Sequence, residues 1–211
     1  AMLNASKELS AYIHHSITER KQNTWIAQRE GRAKDGLDIT NPALISMLLL
    51  NKEKTTPIKD YLEQINIIPV AISYELDPCD QQKAIELATI DSTGEYNKAD
   101  DEDVNSMIKG LMGDKGRIHI EFCTPIKGDF KNSKAIAEAI DQQIISHYKL
   151  FDTNNDAFEY LAHSDDNQTV NLAESLPLPK TLSARMENLT PMQQQRLLTM
   201  YANPVVAKNS L

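Results

Sequence analysis

The chain has 211 residues, 41% apolar and 25% charged, which is ordinary globular usage and excludes wholesale disorder. A formal charge of -8 argues against non-specific nucleic-acid binding, which needs a basic footprint. Only two cysteines occur, Cys79 and Cys123, so a disulfide framework and a Cys-based zinc site are excluded and a reducing compartment fits.

Positive charge is concentrated at the front, where the first 36 residues carry 6 basic and 4 acidic side chains. In the same stretch, Leu3 to Lys21 is predicted to be an amphipathic helix, with Leu9, Ile13 and Ile17 recurring every four residues. Asn23 to Gln28 (NTWIAQ) is predicted as a strand that runs into a charged turn, Arg29 to Gly36. Asn41-Pro42 starts a helix, Asn41 as cap and Pro42 in the first turn. It carries ALISMLLL, Ala43 to Leu50, apolar nearly all round and therefore expected to be deeply buried. That run is far too short to cross a bilayer, which needs about 20 residues.

Thr56-Pro57 opens a helix to about Gln64, and Asn66 to Tyr74 (NIIPVAISY) follows as an apolar strand. Pro69 has no N–H for a ladder, so it marks an edge, a bulge or the strand's beginning. Asp80 is placed to cap a helix to about Ile90, and a loop follows to Asp103. A helix from about Asp101 to Met112 precedes the cleanest strand, Gly116 to Cys123, where Ile118, Ile120 and Phe122 alternate with His119 and Glu121. Asn132 to Leu150 is a long helix with Ile136, Ile140 and Ile144 on one face.

Beyond Asp152 there is no strand signal. Asp165 to Pro179 has the character of a linker, and Thr190-Pro191-Met192-Gln193 combines a capping box with Pro at the first helical position. Asn203-Pro204 is expected to end that last helix. Met186, Met192 and Met200 are expected in a core. The pattern predicts an α/β fold with a small mixed or parallel sheet flanked by helices and a helical C-terminal extension. The boundary is placed between 1–150 and 151–211.

The segment with chemical potential is Trp25 to Gly36, where Arg29, Glu30, Gly31, Arg32, Lys34 and Gly36 crowd behind a predicted strand. Ligands in α/β folds gather at the carboxyl ends of strands. Arg32 offers a planar fork that suits phosphate, Lys34 adds a point charge, and Glu30 is placed to organise the turn. The alternative for the same residues is a solvated turn with Glu30 paired to a neighbouring Arg.

Glu30-Gly31-Arg32-Ala33-Lys34-Asp35-Gly36 resembles the third conserved block of the glycerolipid acyltransferases, the family of 1-acyl-glycerol-3-phosphate acyltransferases. The match requires a one-residue gap. Ile67 to Ile72 resembles the family's fourth block, and Gly116 to Ile126 a later strand ending in G-x-P-I, with Cys123 in place of the glycine. Ser73 to Asp80 and Met200 to Pro204 also resemble a bacterial branch.

The resemblance implies acyl transfer from an acyl-CoA or acyl-carrier-protein thioester to a glycerol-phosphate or lysophospholipid acceptor, without metal or other cofactor. Glu30, Gly31, Arg32 and Lys34, with Arg29 beside them, would grip the acceptor phosphate. It implies location on the cytoplasmic side, with peripheral membrane contact in the intact protein. The family's base lies in an H-x4-D motif upstream of the third block. The chain is read as lacking that block and as the C-terminal portion of such an enzyme, inactive alone. His14 and Glu19 have related spacing but lie about 140° apart on a helix. The alternative reading is a non-catalytic binding module on the same scaffold. An EF-hand-like opening at Asp152-x-Asn154-x-Asp156 lacks the required glycine and fits a helix start better.

Overall fold

The computed structural model describes residues 2–29, 31, 33–165 and 178–211. The chain divides into two compact units. The first comprises residues 1–32, 38–71 and 121–147, and the second 33–37, 72–120 and 148–211. The helical C-terminal stretch therefore shares its unit with the middle of the chain and with the short segment 33–37.

The first unit is helical. Its elements are α1 (Met2–Thr18), α2 (Pro42–Leu48, continued by a 3-10 turn Leu49–Asn51), α3 (Ile58–Ile65) and α6 (Ser133–His147). The Asn41 side chain accepts from Ala43 N, and Pro42 sits in the first turn, as the sequence predicts. The buried stripe of α1 is Ser10, Ile13 and Ser16, while Leu9 is exposed. Ser10 Oγ donates to Leu48 O at 3.1 Å, and Tyr61 OH donates to the same carbonyl at 3.1 Å. Those two hydroxyls satisfy a carbonyl at the end of α2 that the helix itself leaves open. Only Ile45 and Leu48 of α2 are buried, so ALISMLLL presents one stripe to the core rather than all its faces. Leu62, Ile136, Ile140 and Ile144 complete the apolar core. Among the described residues Asn23 to Gln28 forms no strand. Trp25 is 69% exposed, and the segment has no strand beside it to complete a ladder.

The two strands, β1 (Val70–Tyr74) and β2 (Ile118–Phe122), pair with each other. They run antiparallel, which corrects the expectation of a mixed or parallel sheet. Cys123 N donates to Pro69 O and Glu75 N to Arg117 O, both at 2.9 Å, so one strand ascends as the other descends. Pro69 lies at the start, where its carbonyl is used and its missing N–H costs nothing. At the other end Arg117 Nε and Nη2 donate to the two oxygens of Glu75 at 3.0 and 2.9 Å, a fork that fixes the register. The side chains that share one face of β2, Ile118, Ile120 and Phe122, are all exposed.

The second unit holds α4 (Asp80–Thr93), α5 (Glu102–Met112), α7 (Asp152–Asp165), α8 (Ser183–Met186) and α9 (Pro191–Asn209). Asp80 is the first residue of α4 rather than its cap. Asp77 turns the chain into the helix, its Oδ1 accepting from the N–H of Cys79, the residue before α4, at 2.7 Å. Gly94, left-handed at φ +85°, closes α4. α9 starts with the predicted capping box of Thr190 and Gln193. It does not end at Pro204 but runs on to Asn209 with Pro204 buried inside it. Leu182, Met186, Leu197, Leu198 and Met200 form the core, whereas Met192 is exposed. The linker expected at 165–179 falls almost wholly outside the described residues. No described helix is long and apolar enough to cross a membrane.

Candidate functional site

The charged loop passes from the first unit into the second. Arg29 and Gly31 belong to the first, and both are exposed. Gly31 has φ +73° with open space where a Cβ would stand, so its glycine is required by backbone conformation and not by packing. Glu30 and Arg32 lie outside the described residues. Lys34 belongs to the second unit, where its Nζ pairs with Glu86 on α4. Glu86 is nearly buried, so Lys34 neutralises a carboxylate that would otherwise be stranded. No sequence pattern pointed to Glu86, which is 52 residues away.

The segment 33–37 is seated on α9. A proline has no N–H, so Pro204 leaves the Met200 carbonyl, four residues back, without its helical donor. Gly36 backs onto that carbonyl: a Cβ at Gly36 would stand 2.0 Å from Met200 O. Beside it, Asn203 Nδ2 donates to Asp35 O at 2.7 Å, and Asp35 Oδ1 accepts from Leu37 N at 3.1 Å. The residues Met200 to Pro204 therefore form the seat of the segment 33–37.

The same stretch of α9 reaches a buried polar knot. Tyr201 OH donates to Asp80 Oδ2 and accepts from Asp77 N, both at 2.9 Å. Arg185 Nη1 donates to Asp77 O at 3.0 Å and to Asp80 Oδ2 at 3.2 Å. Burial raises the Asp80 carboxyl above the ordinary Asp range, while Arg185 and Tyr201 pull it back. The Tyr201 phenol is also pushed up, chiefly by burial and then by the Asp80 charge. Lys83 Nζ holds Asp77 Oδ2 at 2.6 Å. Two of the sequence strings, Ser73 to Asp80 and Met200 to Pro204, thus meet in one network.

The other titratable candidates are engaged structurally. The His14 ring stacks on Tyr61 with centroids 5.4 Å apart. The spacing H-x4-D does occur in the chain, at His147 and Asp152, downstream of the charged loop rather than upstream; sequence reading missed it. His147 Nδ1 lies 2.8 Å from Gln143 O at the end of α6, and Asp152 opens α7 with an exposed side chain. They fall in different units. Asn154, read as a possible cation ligand, has Oδ1 accepting from Phe151 N and Nδ2 donating to Tyr201 O, both at 2.9 Å. The EF-hand-like spacing is therefore used as a helix start. Among the described residues no cluster of His, Cys, Asp and Glu could hold a metal. Cys79 and Cys123 are buried and form no disulfide, and burial raises Cys123 above the usual thiol range.

The fold and this arrangement define a mixed α/β protein in which the short segment 33–37 rests on the last helix. No family model, no curated protein and no solved structure matches the chain.

Proposed function

We propose that this chain is the acceptor-binding portion of a glycerolipid-type acyltransferase, with the base supplied by an H-x4-D block elsewhere in the intact enzyme. Support comes from the order of three sequence blocks along one chain: Glu30 to Gly36, Ile67 to Ile72, and Gly116 to Ile126. The last two run through the strands that pair directly, and the strings Ser73 to Asp80 and Met200 to Pro204 join in one polar knot. Arg32 and Arg29 attract the phosphate of a glycerol-phosphate or lysophospholipid acceptor, and Gly31 keeps the backbone open to it. Lys34, held by Glu86, anchors the segment 33–37. The acyl donor is a CoA or carrier-protein thioester. The intact enzyme works on the cytoplasmic side, peripheral to the membrane.

The test is Arg32→Ala in the intact enzyme, assayed with lysophosphatidate and an acyl-CoA. Loss of a charge-assisted fork to phosphate predicts a fall in kcat/KM of about 10- to 100-fold, mainly through KM. Unchanged kinetics would remove Arg32 from the site and favour the non-catalytic module. The 211 residues alone are expected to give no transfer, and measurable turnover would show a base within them.

A further inference from the structure

We propose that residues 20–29 form a membrane-docking segment, in which Trp25 and Ile26 enter the headgroup region of an anionic phospholipid bilayer while Arg20, Lys21 and Arg29 hold its negative surface. Docking of this kind deepens the peripheral location proposed for the intact enzyme and rests on that reading, though it requires no acyl transfer.

The segment is fixed at both ends. Arg20 N donates to His15 O at 3.2 Å and Gln22 N to Ser16 O at 2.9 Å, which ties its start to the end of α1. At the other end Gln28 O accepts from the N–H of Asn41, the cap of α2, at 2.9 Å. Between these anchors every residue from Asn23 to Ala27 is exposed and outside any helix or strand. Trp25, the single tryptophan of the sequence, is 69% exposed, and Ile26 beside it is 37% exposed. Both leave water only if something outside their own unit covers them.

Charge decides what does. Arg20, Lys21 and Arg29 are all exposed, and residues 20–29 hold no carboxylate in a chain whose formal charge is -8. Glu19 and Glu30 flank the segment, and Arg32 follows. The cations stand on the same piece of chain as the indole, so no packing of distant elements is needed to bring them together. A bilayer matches both halves. Indoles concentrate at the level of the headgroups, and Lys and Arg are drawn to a negative surface potential. Either signal alone binds a membrane marginally, whereas the two together hold a protein there. The acidic remainder of the chain is screened from the bilayer beyond about 8–10 Å. A nucleic acid fits less well, because it reads a broad basic footprint and the chain as a whole is acidic.

Each Lys or Arg near an anionic surface raises partitioning about fivefold. Three of them predict about a 100-fold preference for phosphatidylcholine vesicles carrying about 30 mol% phosphatidylglycerol over phosphatidylcholine alone. Because Trp25 is the single tryptophan, its emission reports its own surroundings. Adding the anionic vesicles to the full chain is expected to shift that emission to shorter wavelength and to shield the indole from aqueous acrylamide. In vesicle flotation, Trp25→Ser is expected to weaken binding about 10-fold. The triple variant Arg20→Gln, Lys21→Gln, Arg29→Gln is expected to erase the preference for phosphatidylglycerol. All four side chains are exposed, so the circular dichroism spectrum should not change. Leu111→Lys, at a 77% exposed position of α5, is expected to leave binding as it was.

Emission indifferent to anionic vesicles overturns the proposal, as does binding undiminished by Trp25→Ser or by the triple variant. An equal shift with soluble glycerol 3-phosphate or with polyuridylate would assign the segment to a free phosphate or a nucleic acid and overturn it. A concentration-dependent shift without vesicles would assign it to a second copy, with the same consequence. Binding lost in Leu111→Lys would move the contact to α5 and overturn it too. Failure here with the expected Arg32→Ala kinetics sinks the docking segment alone, and docking with unchanged Arg32→Ala kinetics sinks the acyl-transfer reading alone.

Discussion

The two units are stabilised differently. In the first, Leu62, Ile136, Ile140 and Ile144 form a dry core, and polar contacts such as Ser10 Oγ to Leu48 O serve helix ends at its margin. In the second, an apolar core around Leu197 and Met186 is joined to a buried network of Asp77, Asp80, Arg185 and Tyr201. Apolar packing is non-directional and tolerates volume-conserving exchange, whereas a buried network must be satisfied at every member. The lesson is that the first unit should fail by losing volume and the second by losing a partner.

The largest expected effect breaks the first unit. Leu62 is fully buried, so Leu62→Ala should cost about 3–4 kcal/mol, with hydrogen-exchange protection falling in α2, α3 and α6. Next comes Arg185→Met, which keeps much of the volume but strands Asp80. Removing one member of a buried pair predicts a loss of about 3 kcal/mol at neutral pH.

The pH dependence of that loss separates a lost charge from lost packing. The folded-state pKa of Asp80 is raised, so the folded chain holds this proton more tightly than the unfolded one, and stability drawn from it falls as pH rises between the unfolded and folded values. Without Arg185 the folded value rises further. The deficit should be largest at neutral pH and shrink toward acid, as urea titrations at several pH values would show. A constant deficit would mean that Arg185 acts through packing alone.

Gly36→Ala places a methyl into the Met200 carbonyl at a φ of +75° and should cost about 2 kcal/mol, lifting 33–37 from α9. Exchange at Leu37 and in the last turns of α9 would report it. The smallest effect is Tyr201→Phe, about 1–2 kcal/mol, since one hydroxyl serves both Asp77 N and Asp80. Equal sensitivity of both units to methyl deletion and to partner deletion would erase the contrast between them.

Much of this was legible locally. Caps and punctuation depend on neighbouring residues, so Asn41-Pro42, the Thr190–Gln193 box and the alternation of Ile118, Ile120 and Phe122 announce their elements directly. The stripe of Ile136, Ile140 and Ile144 was equally plain. Asn23 to Gln28 misled because alternation says which faces a strand would have but not whether a neighbouring strand exists to accept its hydrogen bonds. Leu9 misled because helical spacing alone does not choose among adjacent stripes. The charged loop was recognisable by composition, yet Glu86 as partner of Lys34 lay far along the chain.

What the sequence by itself determined is therefore most of the helices, the starts marked by Asn41-Pro42 and the Thr190–Gln193 box, the two paired strands, and a basic cluster in an acidic chain. The tertiary structure decided the antiparallel direction of β1 and β2, which follows from where Arg117 meets Glu75. It also decided the fate of Pro204. Read locally, Asn203-Pro204 stops a helix. In the fold the helix continues, because its far side is buried and only one carbonyl, that of Met200, loses its donor. Gly36 lies against that carbonyl, where any side chain would collide. Neither residue predicts the other by spacing, since what couples them is a contact across 164 positions that exists only once the second unit has assembled.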